Sequence, residues 1–171
     1  GVPLLRKAVL AALEARYSPV VVVLGSNAEE HKKTIAHLPV EIVIHTQWEK
    51  GMGSSLKAGL SLLLTSNPDT TAIVVMVCDQ PLLTSAHLSA LRVAYRKSVK
   101  PIIASQYNKT IGVPALFDRS LFSKLQKIKD TQGAKAVIES NLNSIETITW
   151  EEGGLDIDTP EDLNQLNTQP L

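Results

Sequence analysis

Short, uninterrupted apolar runs that alternate with segments of helical period limit most strongly what this chain can fold into. The runs are rich in Val and Ile and lie at residues 20–24, 40–44, 72–77 and 101–104. Between them, apolar residues recur every three or four positions, as in residues 4–13 and 84–98, which is the spacing of a helix that buries one face. Strands that are apolar at every position are buried on both faces, as in a parallel sheet covered by helices. The pattern therefore predicts an α/β fold.

The remaining elements follow from the same periodicity. It predicts further helices at residues 28–38, 54–65, 121–128 and 133–139, and a last strand at 145–150. Clusters of turn-forming residues predict loops at 66–70, 106–112 and 151–154. The chain has no internal repeat and no linker, so its 171 residues are expected to form one domain, long enough to fold without disulfides or a structural metal.

Charge and hydropathy exclude two classes of partner. The 17 Lys and Arg residues balance 17 Asp and Glu residues and are spread along the chain, so no basic patch is available for a nucleic acid or an anionic membrane. No apolar run approaches the roughly 18 residues that span a bilayer. A single cysteine, Cys78, and the lack of a leader pattern favour a reducing cytoplasm. We therefore expect a cytoplasmic protein that binds neither nucleic acid nor membrane.

A glycine-rich segment follows the second predicted strand, and ligands of parallel α/β sheets bind beyond the carboxyl ends of strands. In this segment, residues 51–55, the glycines let a ligand approach the backbone and the serines stand at a helix start. A flexible connection that ends in a serine cap explains the same residues equally well. The segment lacks the third glycine of a dinucleotide fingerprint and the lysine of a phosphate loop.

Carboxylates at two places are candidate metal ligands. Asp79 stands just beyond the apolar strand 72–77, where a carboxylate loses hydration unless it gains a partner. Mg²⁺ is such a partner, since it takes one or two carboxylates and leaves its other positions for water and phosphate, whereas capping of the next turn is the alternative. Near the end of the chain, Asp156 and Asp158 project to one side of an extended segment. One of them would complete a metal site.

Together these segments resemble the molybdenum cofactor cytidylyltransferase family, within the nucleotide-diphospho-sugar transferase folds. The resemblance is carried by residues 48–55, 79–81, 112–117 and 156–160, in the family's order and spacing. It implies a three-layer Rossmann-like sandwich with a mostly parallel central sheet. The Asp-Gln-Pro and Gly-Met-Gly-Ser-Ser sequences favour the cytidylyl branch over the guanylyl branch.

The resemblance implies a reaction and a set of residue roles. CMP would pass from CTP to molybdopterin or the molybdenum cofactor with release of pyrophosphate, and a molybdenum hydroxylase or its chaperone would be the recipient. Asp79 and Asp158 would be the catalytic ligands of Mg²⁺. The residues expected around the nucleotide are Gly51, Met52, Gly53, Ser54, Ser55, Gln80 and Pro81, and those expected around the acceptor are Gly112, Pro114 and Lys135.

Three departures from the family and two alternatives stay open. The family's first strand and phosphate-binding loop have no counterpart ahead of Gly1, so we expect a truncated or incompletely represented domain. His45 stands where the family usually has Asn, and we expect it to be a polar residue at a strand end. Asp130 lies one place upstream of the family's acidic position before Gly133. The residues by themselves also permit a nucleotidyltransferase that uses GTP or acts on a sugar phosphate, or a non-catalytic binding module of the same fold.

Overall fold

The computed structural model describes residues 1–154 and confirms the α/β class. The helices are α1 (Leu4–Glu14), α2 (Ala28–Thr34), α3 (Met52–Ser66), α4 (Ser85–Lys97), α5 (Phe122–Gln126) and α6 (Lys135–Glu139). The strands are β1 (Val21–Leu24), β2 (Glu41–Ile44), β3 (Ala72–Val75), β4 (Ile102–Tyr107), β5 (Thr110–Asp118) and β6 (Ile145–Thr149). Among these residues, no helix combines the length and the apolar character needed to cross a membrane.

The strands form two hydrogen-bonded sheets. β1 and β2 pair in parallel, and the other four strands follow the order β3-β5-β4-β6. β5 is antiparallel to β3 and to β4, whereas β4 and β6 are parallel. β3, β4 and β6 therefore share one direction and β5 alone opposes them in this sheet, which agrees with the mostly parallel arrangement that was predicted.

Alternate residues of the central strands point into opposite layers of helices, as the pleat of a strand requires. On one face, Ile102 and Phe117 pack with side chains of α3, α5 and α6. On the other face, Ile103 and Leu116 pack with side chains of α1 and α4. All four side chains are buried. The result is the three-layer sandwich expected from the sequence.

The predicted loop at residues 106–112 is wrong, because this segment is the end of β4, a tight turn and the start of β5. The turn residues are Asn108 and Lys109, with φ values of 46° and 61°. Two successive residues in the left-handed region are typical of the turn that joins twisted antiparallel strands. Lys is not a usual residue there, and the polar composition of the segment concealed the hairpin.

Two predicted helices are also shorter in the structure. α2 ends at Thr34 instead of residue 38, because His37 adopts a φ of 68° and the residue before Pro39 disfavours helical backbone. The predicted helix 121–128 consists of a 3-10 turn, Arg119–Leu121, followed by α5. In both cases a buried apolar residue, Ile35 or Ile128, lies beyond the last helical residue.

A buried polar cluster joins α4 to the β4–β5 hairpin. Ser105 is fully buried where the register between β4 and β5 shifts, and its hydroxyl donates to the carbonyl oxygen of Pro114 at 2.6 Å. His87 Nε2 lies 2.7 Å from the same hydroxyl oxygen and acts as the donor, since the hydroxyl proton is already used. The imidazole stacks on Trp150 with ring centroids 4.7 Å apart. Burial lowers the pKa of His87, and the nearby Glu152 carboxylate opposes this shift.

We predict that this histidine makes the fold sensitive to acid. The pKa of His87 lies below its ordinary value of 6.5 in the folded chain, so the unfolded chain binds the proton more readily. The stability contributed by neutral His87 is therefore complete above pH 6.5 and falls as the pH drops below that value. Urea unfolding at a series of pH values should show the decline. His87→Gln should flatten it, whereas the same change at exposed His31 should not, and an unaltered slope in His87→Gln contradicts the assignment.

Candidate functional site

The glycine-rich segment forms the start of α3 and contacts another part of the chain. Gly51 has a φ of 121°, a backbone conformation that favours glycine, and it precedes the first helical residue. The amide groups of Gly53 and Ser54 donate to the carbonyl oxygen of Asp130, at 2.8 and 3.3 Å. The N–H groups of these two residues at the helix start are therefore already hydrogen-bonded within the protein.

Glycine is required at position 53 because two backbones meet there. A methyl group on Gly53 would overlap the carbonyl oxygens of Lys129 and Gln132. These are main-chain atoms, which cannot swing aside as the end of a long side chain can. The approach of residues 129–132 explains this glycine without a ligand, and it fixes the position of the segment expected to bind the nucleotide.

Charged side chains hold the same two segments together. Lys57, one helical turn beyond Ser54, forms an ion pair with Asp130 and donates to the carbonyl oxygen of Ile128 at 3.1 Å. The hydrogen bond from Lys57 lowers the pKa of Asp130, and the positive charges of Lys57 and Lys50 act in the same direction. The segment around Asp130 is thus tied to α3 through both its backbone and its carboxylate.

His45 connects the end of β2 to the start of α3. Its Nε2 lies 2.9 Å from Ser54 Oγ, and the Ser54 hydroxyl donates to the carbonyl oxygen of Gly51 at 2.7 Å. The imidazole is therefore the donor to Ser54 in this arrangement. Ser54 is buried, so this hydroxyl serves the turn, whereas the neighbouring Ser55 and Met52 are the more accessible members of the segment.

Three apolar side chains remain accessible around this turn. Ile44, Trp48 and Met52 expose 47%, 41% and 61% of their surface. Trp48 is held firmly, because its own N–H and C=O are both hydrogen-bonded within the turn and its side chain lies against Gly25. A methyl group at Gly25 would lie only 2.7 Å from Trp48 Cβ. An indole held in this way and still partly exposed can contact a flat ligand group.

The turn predicted to border the acceptor lies beside the segment predicted to bind the nucleotide. A methyl group on Gly133 would lie 2.7 Å from Met52 Sδ. Lys135 begins α6 two residues later and is exposed. Leu56 of α3 and Ala134 belong to one apolar cluster beneath both segments. The fold therefore joins two candidate regions that are far apart in the sequence.

Asp79 lies in the segment that follows β3, which ends at Val75 and not at residue 77 as predicted. Its Oδ1 atom is shielded from solvent. Partial burial and then the charge of the Asp79 carboxylate raise the pKa of the neighbouring Cys78 thiol. A shielded carboxylate oxygen is a hard ligand suited to Mg²⁺ or Mn²⁺, so this residue fits the predicted metal role. Its predicted partner Asp158, like Asp156, lies outside the described residues. Residues 1–154 contain no group of three or more His, Cys, Asp or Glu residues placed to hold a metal ion.

Gln80 anchors the Asp79 segment to the hairpin. Its Nε2 donates to the carbonyl oxygen of Val113 at 3.2 Å and to Tyr107 Oη at 3.4 Å, and only 5% of the residue is exposed. Its Oε1 is buried and accepts no hydrogen bond from residues 1–154. Pro81, which follows, is half-buried. Gln80 therefore has a structural role, which is to attach its segment to β5. Its expected contact with the nucleotide stays a prediction.

Gly112 and Pro114 lie on either side of Val113 and are both buried in β5. A methyl group on Gly112 would lie 2.8 Å from Tyr107 Oη, and the Pro114 carbonyl accepts the hydrogen bond from Ser105. Pro114 is among the fully buried side chains. These residues therefore serve the packing of β5 against β4, and their predicted contact with an acceptor stays a prediction.

Sequence reasoning did not assign a role to Lys57, Tyr107 or the carbonyl oxygen of Val113. Lys57 follows Ser54 by three residues and so shares its helix face, which is the only local signal for its position. Its carboxylate partner stands far away in the sequence. Tyr107 and Val113 meet only because the unpredicted hairpin forms, so no local pattern marks them.

We predict that Gly53→Ala destabilises the fold by about 1–3 kcal/mol, the usual cost of forcing extra volume into packed backbone. The reason is the overlap with the carbonyl oxygens of Lys129 and Gln132. Urea unfolding measures the change, and Gly1→Ala is the matched control because a methyl group there meets nothing within 4 Å. Equal unfolding free energies for the two variants would contradict the prediction, because they would show that the segment around Asp130 moves aside at little cost in free energy.

Comparison with known proteins gives a family match over most of the chain. Residues 1–145 match the family model of the MobA-like NTP transferase domain. The chain is 29% identical over 157 residues to the nicotine blue oxidoreductase of Paenarthrobacter nicotinovorans, an alignment that covers 86% of this chain and 74% of that protein.

Solved structures have the same fold. The Rv0371c protein of Mycobacterium tuberculosis H37Rv aligns with a TM-score of 0.77 at 25% identity, covering 95% of this chain and 82% of that one. Its structure as a complex with manganese aligns with a TM-score of 0.76 at 24% identity, covering 95% and 84%. The 4-diphosphocytidyl-2C-methyl-D-erythritolsynthase of Anaerococcus prevotii aligns with a TM-score of 0.74 at 15% identity, covering 96% and 84%.

Proposed function

Because the chain belongs to the MobA-like NTP transferase domain family and is a nucleotidyltransferase, we propose that it transfers CMP from CTP to molybdopterin or the molybdenum cofactor and releases pyrophosphate. The proposed setting is the cytoplasm, and the proposed recipient of the product is a molybdenum hydroxylase or its chaperone. CTP is preferred to GTP because residues 51–55 and 79–81 resemble the cytidylyl branch of the family. The diphosphocytidyl compound named for the Anaerococcus prevotii protein supports the same choice.

The observation that carries this proposal is the contact between Met52 and Gly133. Nucleotidyl transfer needs two anionic substrates side by side, with the nucleophile in line with the bond that breaks. A nucleotide on residues 51–55 and an acceptor at the turn that leads to Lys135 would meet this requirement. The exposed Lys135 ammonium would offset charge on the acceptor phosphate as it approaches the α-phosphorus.

Asp79, which lies within the described residues, is the first proposed metal ligand. Asp158, which lies outside them, is the second. Mg²⁺, when bound, neutralises negative charge between the two substrates and orients the phosphates. Its place could be taken by Mn²⁺, the ion named for the Rv0371c complex. Gln80 holds the Asp79 segment against β5 through its bond to Val113, which keeps the carboxylate in position. The acceptor phosphate is already anionic, so the reaction needs no strong general base.

Pyrophosphate release measured with each of the four common NTPs and with two acceptors tests the substrate choice. CTP with molybdopterin should give the highest kcat/KM. Preference for GTP, or turnover with a hexose phosphate in place of the pterin, would favour the other nucleotidyltransferase alternatives. The absence of release with every pair, in the presence of Mg²⁺ and with a folded protein, would contradict the proposed reaction.

We predict that Asp79→Asn lowers kcat by at least about 10²-fold, the scale of one lost electrostatic stabiliser in an active site. The substitution keeps the shape of the side chain but removes its charge. Asp69→Asn is the matched control, since Asp69 is exposed and lies before the same strand, at the opposite end of β3. Comparable kcat values for Asp79→Asn and Asp69→Asn would exclude Asp79 as the metal ligand.

A second prediction concerns the position of the nucleotide. Trp48 is 41% exposed beside residues 51–55, whereas the other tryptophan, Trp150, is 5% exposed in the core. CTP should therefore change the tryptophan fluorescence of the protein, and ribose 5-phosphate, which has no base, should change it far less. Trp48→Phe should abolish the signal and leave binding measured by calorimetry within about 3-fold, since Phe retains an aromatic face. A full signal in Trp48→Phe would place the nucleotide elsewhere.

A further inference from the structure

The chain between α5 and α6 is anchored in the core at its two ends. Ile128 and Ala134 belong to one apolar cluster with Leu56 and Leu60 of α3. Most of the residues between them are exposed to solvent. Burial of apolar side chains therefore fixes the ends of this segment, residues 128–134, which we call the α5–α6 connection. The conformation of its middle depends on polar contacts.

Asp130 and Lys57 supply the polar contacts between the α5–α6 connection and α3. The carbonyl oxygen of Asp130 accepts from the amide groups of Gly53 and Ser54, and its carboxylate forms an ion pair with Lys57. Lys57 donates a second hydrogen bond to the carbonyl oxygen of Ile128 at 3.1 Å. The connection is thus attached to the start of α3 through both its backbone and a side chain.

The ion pair is charged but too exposed to contribute much to global stability. The hydrogen bond from Lys57 lowers the pKa of Asp130, so the carboxylate is ionised at neutral pH. The Lys57 and Asp130 side chains are 29% and 41% exposed. Exposed ion pairs add little to the free energy of unfolding, because water screens their charges and the side chains lose freedom when they pair. The pair is therefore better suited to fixing a local geometry than to holding the fold together.

The same contacts place the start of α6 relative to the start of α3. Gly133 lies against Met52, where a methyl group on the glycine would come within 2.7 Å of the sulfur atom. α6 begins at Lys135, and the amide of Ala136 donates to the carbonyl oxygen of Gly133 at 3.1 Å. The path along the chain from Asp130 to Lys135 is short, so a displacement of Asp130 also displaces Lys135.

We infer that Lys57 and Asp130 are positioning residues for nucleotidyl transfer, whose ion pair keeps Lys135 in place relative to a nucleotide on residues 51–55. The inference rests on the proposed function, which assigns the nucleotide and the acceptor to these two segments. Neither Lys57 nor Asp130 contacts a substrate. Transfer requires the acceptor phosphate to lie in line with the bond that breaks, so a loosened connection weakens acceptor binding and slows the transfer. The nucleotide binds almost as before, because α3 is packed in the core independently of the pair.

A purely electrostatic role of the pair has different consequences. Lys57→Met leaves the Asp130 carboxylate unpaired, and this charge would repel an anionic acceptor. Asp130→Asn leaves the Lys57 ammonium without its counter-charge, and this charge would attract the acceptor. An electrostatic role therefore predicts changes of opposite sign in the acceptor KM of the two variants, whereas positioning predicts an increase in both.

Steady-state kinetics with CTP, Mg²⁺ and molybdopterin distinguish the two roles. Lys57→Met and Asp130→Asn should each raise the acceptor KM about 3- to 10-fold and lower kcat, while the CTP Kd from calorimetry stays within about 2-fold. The double variant should resemble either single variant, since the two residues act as one unit. Lys57→Arg should retain most of the activity, because a guanidinium also pairs with a carboxylate. Lys127→Met is the control and should change no constant, since Lys127 is exposed just before the connection.

Amide hydrogen exchange followed by NMR measures the positioning without substrates. In Lys57→Met, the amides of Gly53 and Ala136 should exchange about 3- to 10-fold faster, since their hydrogen bonds depend on the connection. The amide of Asn67, which is hydrogen-bonded at the far end of α3, should exchange at an unchanged rate. The midpoint of urea unfolding should also change little, because the pair is exposed.

Three results would overturn the inference. They are equal exchange rates in the wild-type protein and Lys57→Met, acceptor KM changes of opposite sign in Lys57→Met and Asp130→Asn, and an unchanged acceptor KM in both variants. Each of these results leaves the proposed reaction intact, because the wild-type protein still turns over its substrates. Absence of turnover in the wild-type protein would instead contradict the proposed function, and the inference would fall with it whatever the exchange rates show.

Discussion

The contact of residues 129–132 with the start of α3 determines the shape of the candidate site. The carbonyl oxygen of Asp130 accepts from Gly53 and Ser54, while its carboxylate pairs with Lys57. Two backbones can come this close only where one lacks a Cβ atom, so Gly53 is a packing requirement before it is a ligand contact. This contact also places Gly133 beside Met52 and thereby brings the two proposed substrate regions together.

A second set of contacts holds the segment that contains Asp79. β5 runs against the direction of its neighbours, and its irregular start presents the carbonyl oxygens of Val113 and Pro114 to side chains from other elements. Gln80 and Ser105 donate to these two oxygens. The segment after β3 is thus attached to a strand that is itself held by the buried core. A carboxylate used for electrostatic stabilisation needs this rigidity, since its effect depends on a fixed position before the reaction begins.

The two groups of contacts suit different parts of the proposed reaction, one the binding of substrates and the other the holding of a metal ligand. The segment around α3 and α6 offers accessible polar groups and a partly exposed indole, which suits substrates that must enter and leave. The Oδ1 atom of Asp79 is shielded, and the neighbouring Gln80 attaches the segment to β5 by a hydrogen bond, which suits a fixed ligand.

The sequence by itself determined the α/β class, the order of most elements and the placement of Asp79 and residues 51–55 next to strand ends. These features depend on the periodic burial of neighbouring residues, which a single segment records in its own composition. Only the tertiary structure decided that residues 106–112 form a hairpin. The same is true of the close approach of the Gly53 and Asp130 backbones and of the ion pair between Lys57 and Asp130. Such contacts join residues that are remote in the chain, and their energies arise from the approach of two segments, so neither segment alone carries the pattern that would predict them.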